Sequence, residues 1–456
     1  MASAPAQSSF PIILARSTTR KDVSPLRKVV MKRTNQSEWP KLLGVAAASS
    51  VATLLIARNF FETEKKITHR IEADYGPADD VFPRVMGQLL GPPLIDGNAV
   101  RILKNGEQIF PAMLEAIQAA ERTITLENFL WHEGRVAHAF AEALAERARA
   151  GVKVHVLQDA FGCQGLWKRA MNTLRNSPVE LEIFRGLLLS QFNFRTHRKL
   201  LVVDGSVGFI GGVCIADEWE GDGVTPGHWR DTHYRVEGPV VAQIQQAFLD
   251  NWMQTRAQVL HGDKYFPKLE RKGDLECQAF KSSAGEGADS ARLMFLLSIA
   301  AARKRIQIAS AFFIPDDLCR RTLVEARERG VEVEVIAPGP DNDAPLARAA
   351  GQSRWGPLLE AGVRIYEYQP ARFHCKYMIV DDCWCAVGST NFDHRSLRLN
   401  EEANLNIRDA SFAAIHRQIF EEDLSRSRQV TLQQWRHRPW TEKLARQAAG
   451  LARLQM

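Results

Sequence analysis

One motif occurs twice in this chain of 456 residues, and its repetition constrains the fold more than any other feature. Each copy has a histidine, a lysine two residues later and an aspartate five residues after that lysine. These residues are His197, Lys199 and Asp204 in the first copy, and His374, Lys376 and Asp381 in the second. A Gly-Gly or Gly-Ser pair then follows each aspartate at the same distance. Two copies of so specific a pattern predict a chain built from two equivalent halves.

The segments before the two motifs repeat as well. Helix-like and strand-like stretches alternate in the same order: 106–120, 124–131, 136–150, 152–159 and 179–184 in the first half, and 289–303, 305–314, 316–329, 331–338 and 363–368 in the second. Strands that alternate with helices indicate βαβ crossovers. We therefore predict an α/β fold of two pseudo-symmetric halves, each with a central mixed, largely parallel sheet flanked by helices, and an active site at their interface.

Domain boundaries follow from the repeat and from shifts in composition. We predict six segments: a basic leader at 1–41, a hydrophobic membrane anchor at 42–58, a first α/β domain at 95–261, a linker at 262–287, a second α/β domain at 288–425, and a basic amphipathic tail at 426–456. The linker prediction depends on glycines and on the run SSAGEG.

The net charge of +6 is confined to the two ends of the chain. Residues 1–41 contain eight Lys or Arg and two Asp or Glu, and residues 424–456 contain seven and one. The body, residues 42–423, therefore carries a net charge of −6. An enzyme that binds duplex nucleic acid usually has a basic stripe on its body. The charge distribution thus disfavours nucleic acid as a partner.

An uncharged apolar stretch follows the basic leader at residues 42–57, between Lys41 and Arg58. Sixteen helical residues span about 24 Å, against about 30 Å for the hydrocarbon core of a bilayer. Three interpretations stay open: a signal anchor, a cleaved signal peptide, and a buried or interfacial helix. We expect a cell-membrane location, through a single N-terminal anchor or through surface association. The tail is expected either to lie on an anionic membrane surface or to pack on the body.

Seven cysteines lie scattered along the chain, in apolar or strand-like contexts. No CxxC pair and no Cys/His spacing typical of a metal site occurs among them. We therefore predict buried free thiols and no metal centre.

The doubled motif resembles the phospholipase D superfamily, whose members carry two such motifs. Three segments resemble bacterial cardiolipin synthases of the B type more narrowly, namely 105–134, 229–241 and 388–405. The resemblance covers about residues 95–440. It implies the two-half fold described above and an enzyme that acts on phosphodiesters.

The chemistry implied by the resemblance matches the residue types of the motif. A neutral imidazole can attack phosphorus, while a protonated one can donate a proton to the leaving oxygen. The family pattern assigns the nucleophile to His197 and the acid/base role to His374. Lys199 and Lys376 are expected to neutralise the phosphoryl oxygens, as Mg²⁺ does elsewhere. We accordingly expect no metal and no cofactor.

Four acidic residues are expected near the imidazoles. Asp204 and Asp381 belong to the catalytic motif and are expected to hold structure and orientation beside it. Asp231 and Glu402 fit the trailing acidic positions of the family and are expected to contact the histidines. A carboxylate on an imidazole fixes its tautomer and raises its basicity.

The Gly-[Gly/Ser] segments add polar candidates and one departure from the family pattern. Ser389 and Asn391 are candidate donors to the phosphoryl oxygens. In the first half Cys214 stands at the position of Asn391, and a thiol is a poor donor. That half-site is therefore expected to be less polar. We also single out His233, because it lies close to Asp231 in sequence.

The leading functional hypothesis is a phosphatidyl transferase that makes cardiolipin, with phosphatidylglycerol as donor and acceptor and a phosphohistidine intermediate. The alternative is a phospholipase D-type hydrolase, in which water takes the intermediate. A nuclease is disfavoured by the acidic body, and a scaffold with a decayed site is disfavoured by two intact motifs. The expected partners are phospholipids and a membrane, with no nucleic acid.

Overall fold

The computed structural model describes residues 39–58, 67, 69–163, 169–184, 194–283 and 289–440. The chain divides into two compact units, Met1–Thr53 and Leu54–Met456. The described residues of the first unit all belong to helix α1, Trp39–Arg58, which includes the apolar stretch found in the sequence. Across the residues that the structure describes, no helix combines the length and apolar character needed to cross a membrane. Most of the basic leader, and the tail after Trp440, lie outside the described residues.

The second unit contains alternating helices and strands. Its helices are α2 Val81–Leu90, α3 Asn105–Gln118, α4 Arg135–Arg149, α5 Arg169–Arg175, α6 Val241–Arg256, α7 Ser290–Ala301, α8 Asp317–Glu328, α9 Pro345–Arg354, α10 Gly356–Glu360, α11 His394–Arg398, α12 Ala410–Ser425 and α13 Leu432–His437, with a 3₁₀ turn at Asp217–Trp219. Its strands are β1 Ile95–Lys104, β2 Thr123–Asn128, β3 Lys153–Asp159, β4 Glu180–Phe184, β5 Arg195–Thr196, β6 Leu200–Val203, β7 Val207–Gly211, β8 Trp229–Arg230, β9 Thr232–Glu237, β10 Leu275–Ser282, β11 Arg305–Ser310, β12 Glu332–Pro338, β13 Arg364–Tyr368, β14 Arg372–Phe373, β15 Lys376–Val380, β16 Trp384–Gly388, β17 Asn400–Arg408 and β18 Ser427–Val430.

The strand order shows the internal repeat directly. One sheet runs β18-β13-β12-β11-β15-β16-β17-β10-β1-β9-β7-β6-β2-β3-β4. Read outward from its middle, the order β1-β9-β7-β6-β2-β3-β4 matches β10-β17-β16-β15-β11-β12-β13 position by position. The two halves meet where β1 pairs antiparallel with β10, with Ile95 opposite Cys277. The predicted α/β fold of two equivalent halves is confirmed.

Two details of the predicted organisation need correction. The segment 262–287 contains strand β10, which is the first strand of the second repeat and joins the two halves of the sheet. The sheet is mixed, as predicted, but among the described strands antiparallel pairs outnumber parallel ones. Parallel pairing of β2 with β3 and β4, and of β11 with β12 and β13, follows the crossover helices. The motif strands β6 and β15 instead turn back as hairpins onto β7 and β16.

The helices cover both faces of the sheet. Helices α3 and α4 bury Ile109, Phe140 and neighbouring side chains on one face of the first half, and α7 and α8 do the same on the second half. Helices α6 and α12 pack on the opposite face, in one apolar cluster that includes Phe248 and Phe420 and extends through both halves. Because both faces are covered, the strands are apolar along their length.

Candidate active site

The two motif histidines and lysines lie at the beginning of equivalent strands, β6 and β15. Within each motif the histidine and the lysine are two residues apart, so their side chains leave the same face of the strand. His197, Lys199, His374 and Lys376 are all buried, with 1–8 % of their surface exposed. The residue between them points to the other face. There Arg198 forms ion pairs with Asp250 and Glu401.

The imidazole of His197 is held by Glu402. Nδ1 of His197 lies 2.9 and 3.0 Å from the two carboxylate oxygens. The same carboxylate accepts hydrogen bonds from the hydroxyl of Ser389 and, at 3.3 Å, from Nδ2 of Asn400. With Nδ1 donating to the carboxylate, Nε2 of His197 carries the lone pair that a nucleophile needs.

The imidazole of His374 is held in the same way by Asp231. Nδ1 of His374 lies 2.7 Å from Oδ2 of Asp231. That carboxylate also accepts from Nε1 of Trp219 at 3.0 Å and from the backbone N–H of Thr232 at 2.8 Å. The sequence prediction that Asp231 and Glu402 contact the histidines therefore agrees with the geometry.

Each histidine obtains its carboxylate from the other half of the chain. Strand β5, just before His197, pairs in parallel with the start of β17, and β14, just before His374, pairs with β8. The backbone N–H of His197 donates to the carbonyl of Glu401 and that of His374 to the carbonyl of Arg230, both at 2.8 Å. Glu402 follows Glu401 in the chain, and Asp231 follows Arg230. These backbone hydrogen bonds therefore place each carboxylate against the imidazole of the other half. The site therefore exists only where the two halves meet.

Burial makes both imidazoles weak bases. It lowers the pKa of His197 to about 4, although Glu402 opposes the shift. It lowers the pKa of His374 to about 3, with a further contribution from Lys376. Burial alone would raise the pKa of Asp231 and of Glu402, but their histidine partners hold both below the usual range. At neutral pH the free site therefore contains two neutral imidazoles and two carboxylates.

The two lysines supply fixed positive charge between the histidines. Nζ of each donates to the carbonyl of its own motif histidine at 2.6 Å. Nζ of Lys376 also lies 3.2 Å from Nε2 of His374. Burial lowers the pKa of both, that of Lys376 to about 8. At neutral pH the ammonium of Lys376 is thus available to an anionic substrate. Over the described part of the chain no group of three His, Cys, Asp or Glu is arranged to hold a metal ion.

The motif aspartates do not contact the imidazoles. The carboxylate of Asp204 accepts three backbone N–H groups, from Glu121, Arg122 and Thr123, at 2.7–2.9 Å. Asp381 accepts the equivalent three, from residues 303–305, at 2.6–2.9 Å. Both adopt left-handed backbone conformations, with φ of 52° and 51°. Each carboxylate therefore ties a hairpin turn to the start of the neighbouring strand, which is a structural role beside the motif.

The Gly-[Gly/Ser] segments differ between the halves. Ser389 was expected to donate to phosphoryl oxygens, but its hydroxyl donates to Glu402. Asn391 is buried, and its Oδ1 has no hydrogen-bond partner among the described residues. Cys214 is buried at the equivalent position, and burial raises the pKa of its thiol, against the effect of Lys199. All seven cysteines are free thiols, as predicted.

Aromatic rings that motif spacing does not predict line the site. Phe129 contacts His197 edge-on, with ring centroids 5.2 Å apart. Trp219 and Trp229 contact His374 at 5.1 and 5.4 Å. Only the position of Trp229, two residues before Asp231 and therefore on the same strand face, offered a signal in the sequence.

His233 lies on the same face of the sheet as Asp231. It is paired with Gly211 on the neighbouring strand β7. A side chain on Gly211 would collide with its Nδ1. Neither ring nitrogen has a hydrogen-bond partner among the described residues, and burial lowers its pKa to about 4. His233 therefore stays a candidate only because of its position beside Asp231.

Together, the doubled histidine–lysine motif and the junction of two equivalent α/β halves place this chain in the phospholipase D superfamily. The family model described as "Cardiolipin synthase, PLD-like domain" matches residues 296–424. The chain is 35 % identical over 376 residues to cardiolipin synthase A of Pseudomonas putida strain GB-1, covering 81 % of this chain and 77 % of the relative. Identity to cardiolipin synthase A of Pseudomonas fluorescens strain Pf-5 is 33 %, with the same coverage. The chain belongs to the cardiolipin synthase family.

The solved structure of phosphatidylserine synthase from Haemophilus influenzae Rd KW20 shares the fold. It has a TM-score of 0.62 and 15 % identity, and the match covers 82 % of this chain and 99 % of that one. The relatives above are named cardiolipin synthase A, so the narrower resemblance to the B type has no counterpart among them.

Proposed function

We propose that this chain is a phosphatidyl transferase that makes cardiolipin from phosphatidylglycerol through a phosphohistidine intermediate. The observation that carries the proposal is the pair of buried imidazoles, each bound at Nδ1 to a carboxylate from the other half. Membership of the cardiolipin synthase family supports the choice of phospholipid as substrate. Two lysines supply the positive charge that a phosphodiester anion requires.

In the first step Nε2 of His197 attacks the phosphorus of a phosphatidylglycerol. The bond from phosphorus to the glycerol head-group oxygen breaks, and that oxygen takes a proton from His374. His374 is neutral in the free site, but a bound phosphodiester anion raises its pKa, so it can be protonated when substrate is present. The products of this step are free glycerol and a phosphatidyl group on His197.

In the second step a hydroxyl of another phosphatidylglycerol attacks the phosphohistidine. His374, now neutral, takes the proton of that hydroxyl, and the bond from phosphorus to His197 breaks. Cardiolipin leaves with both phosphates intact. Glu402 supports the reaction because it accepts from Nδ1 and so stabilises positive charge on His197 while phosphorus is attached.

Lys199 and Lys376 are proposed to bind the non-bridging oxygens of the reacting phosphate. Both are buried, so their attraction for an anion is little screened by water. Asn391 is proposed as an additional donor, because it is a buried amide two residues after Ser389, whose hydroxyl contacts Glu402. The charge that develops on the phosphoryl oxygens is stabilised best by groups that do not have to reorganise.

The proposal includes action at a membrane. Helix α1 exposes apolar side chains, among them Leu43, Val45 and Leu54, which are each more than half exposed. Basic residues precede it in the leader. Apolar side chains next to basic ones favour an anionic lipid surface. A narrower assignment to the B type stays a prediction that depends on residues 105–134, 229–241 and 388–405 alone.

The test is the identity of the lipid products. Purified full-length protein is incubated with phosphatidylglycerol in mixed micelles, and the lipids are analysed by mass spectrometry. Cardiolipin and glycerol in equal amounts support the proposal. Phosphatidic acid without cardiolipin would instead assign hydrolysis. A labelled oligonucleotide in a parallel reaction is expected to stay intact, and the His197→Ala variant is expected to form neither lipid product.

A further inference from the structure

Each motif histidine has an arginine two residues before it, on the same face of the chain. These are Arg195 before His197 and Arg372 before His374, 177 residues apart like the histidines themselves. Each guanidinium lies over an aromatic ring: Arg195 over Phe161 at 4.2 Å, and Arg372 over Trp229 at 5.5 Å from the ring centroid. Each half therefore has an arginine stacked on an aromatic ring, two residues before its motif histidine.

The arginine of the second half is built into the wall of the site. The ring of Trp229 contacts His374 at 5.4 Å and carries Arg372 beside it, so the indole is in contact with both the imidazole and the guanidinium. Nε of Arg372 donates to Oδ1 of Asp341 at 3.1 Å, and the arginine side chain is 38 % exposed. That is its one hydrogen bond within the described residues, so its two terminal amino groups can bind a ligand.

The direction of the reaction decides which arginine faces the acceptor. The nucleophile and the leaving oxygen lie on opposite sides of phosphorus in an in-line displacement. With His197 on one side, the departing alcohol and then the acceptor alcohol lie on the side of His374. An acceptor phosphatidylglycerol brings a second phosphodiester that does not react. That anion lies beyond the hydroxyl, on the side of the site where Trp229 and Arg372 lie.

We propose that Arg372, stacked on Trp229 and oriented by Asp341, binds the unreacted phosphodiester of the acceptor lipid. The arginine would thereby select a phospholipid alcohol over a neutral alcohol or water. A planar guanidinium suits this task because it binds phosphate oxygens through two parallel N–H groups. The inference rests on the proposed function, and it adds a binding subsite to it.

The experiment is an acceptor competition. Full-length protein receives micelles that contain phosphatidylglycerol and monoacylglycerol, a neutral lipid with a free diol. Phosphatidylglycerol is the donor for both products, so the ratio of cardiolipin to phosphatidyl-monoacylglycerol reports acceptor choice alone. The variants are Arg372→Gln, Arg372→Lys and, as the matched control from the other half, Arg195→Gln. Loss of folded protein lowers both products together and leaves the ratio unchanged.

We expect Arg372→Gln to lower the ratio about tenfold or more, the effect of one lost charge-assisted hydrogen bond. Arg372→Lys should lower it less, because the charge remains, and Arg195→Gln should keep the ratio of the unmodified protein. An unchanged ratio in Arg372→Gln overturns the subsite, and a fall confined to Arg195→Gln places it on the opposite side. If the unmodified protein makes no cardiolipin, the proposed function fails and the subsite fails with it.

Discussion

The two half-sites share one backbone plan but surround their imidazoles differently. On the His197 side, the supporting carboxylate Glu402 accepts from Ser389 and Asn400. On the His374 side, Asp231 accepts from the indole of Trp219 and a backbone N–H. The position of Ser389 is occupied in the first half by Gly212, where a side chain would collide with Asp231. Both halves thus keep a carboxylate–imidazole pair, but the groups that donate hydrogen bonds to the carboxylate differ.

The difference can be compared with the two tasks proposed for these histidines. A nucleophile needs a fixed lone pair, which Glu402 is proposed to secure by accepting from Nδ1 of His197. An acid and base must gain and lose a proton, and two tryptophan rings pack beside His374. Burial lowers the pKa of both imidazoles, and at His374 the ammonium of Lys376 adds to the shift. A phosphate anion bound beside Lys376 would oppose that shift, so we expect the protonation of His374 to follow substrate binding.

The largest expected effect is the loss of either histidine. His197→Ala should abolish any covalent phosphatidyl adduct, whatever the donor. His374→Ala should lower the rate with natural lipids by about 10²–10⁴, because the leaving oxygen receives no proton. With a nitrophenyl phosphodiester the leaving group needs little protonation, so the first step should partly recover. Intact-mass analysis should then find an acid-labile, base-stable adduct on His197.

Two outcomes would contradict this division of labour. An adduct on His374 in the His197→Ala protein would reverse the assignment of nucleophile and acid. Absence of an adduct in both proteins, with the activated donor consumed, would argue for direct displacement by the acceptor.

The next largest loss of activity is expected from changes to the two carboxylates that bind the imidazoles, Glu402 and Asp231. Glu402→Gln and Asp231→Asn keep the shape but replace an acceptor with an amide, so each imidazole can lose its defined tautomer. We expect kcat to fall by about 10²–10³ in both, by analogy with other carboxylate–histidine pairs. With the nitrophenyl donor, Asp231→Asn should recover in the first step and Glu402→Gln should not, which burst kinetics would measure. Equal recovery in the two variants would show that the half-sites do not differ in role.

A pH profile of the activity should show which of the two lysines loses its proton in the alkaline range. The pKa of Lys376 is lowered to about 8 by burial, so its positive charge is present below that pH and lost above it. We expect kcat/KM to fall above about pH 8, by about tenfold per pH unit for one essential proton. Lys376→Arg should move this alkaline limb upward, since arginine stays charged. An alkaline limb that moves in Lys199→Arg and not in Lys376→Arg would assign the titration to the first half.

Much of this arrangement was predictable from the sequence because the repeat is local. The spacing of His197 and Lys199 places them on one strand face, and the second motif repeats that spacing. The order of helices and strands followed from apolar periodicity. Asp231 and Glu402 were predictable as partners only through the family resemblance, since they are distant in sequence from the imidazoles that they contact.

The features that the sequence did not predict depend on tertiary contacts. Strand β10 lies in a segment rich in polar residues and glycine, so the composition of the segment does not predict a strand. It forms a strand because it pairs with β1 and β17. The rings of Trp219 and Trp229 reach His374 because the chain crosses between the halves, and the hydroxyl of Ser389 acts on His197 only through Glu402. Spacing within one half does not predict these contacts, apart from the place of Trp229 two residues before Asp231.

The smallest expected effect on catalysis concerns Asp204 and Asp381, where the two halves are alike. Each carboxylate accepts three backbone N–H groups, and one such partly exposed hydrogen bond contributes about 0.5–1.5 kcal/mol. We expect Asp204→Ala and Asp381→Ala to lower the free energy of unfolding by about 1–3 kcal/mol each, and the Asn variants to lower it less, since asparagine retains an acceptor and tolerates positive φ. Denaturant titration would measure the loss, and active-site titration would give kcat per folded molecule. Because neither carboxylate contacts an imidazole, kcat per folded molecule should change less than threefold, about 0.6 kcal/mol in activation free energy. A selective loss of kcat in one of the two would mean that the turn in that half also positions its histidine, and the equivalence of the two scaffolds would fail at that point.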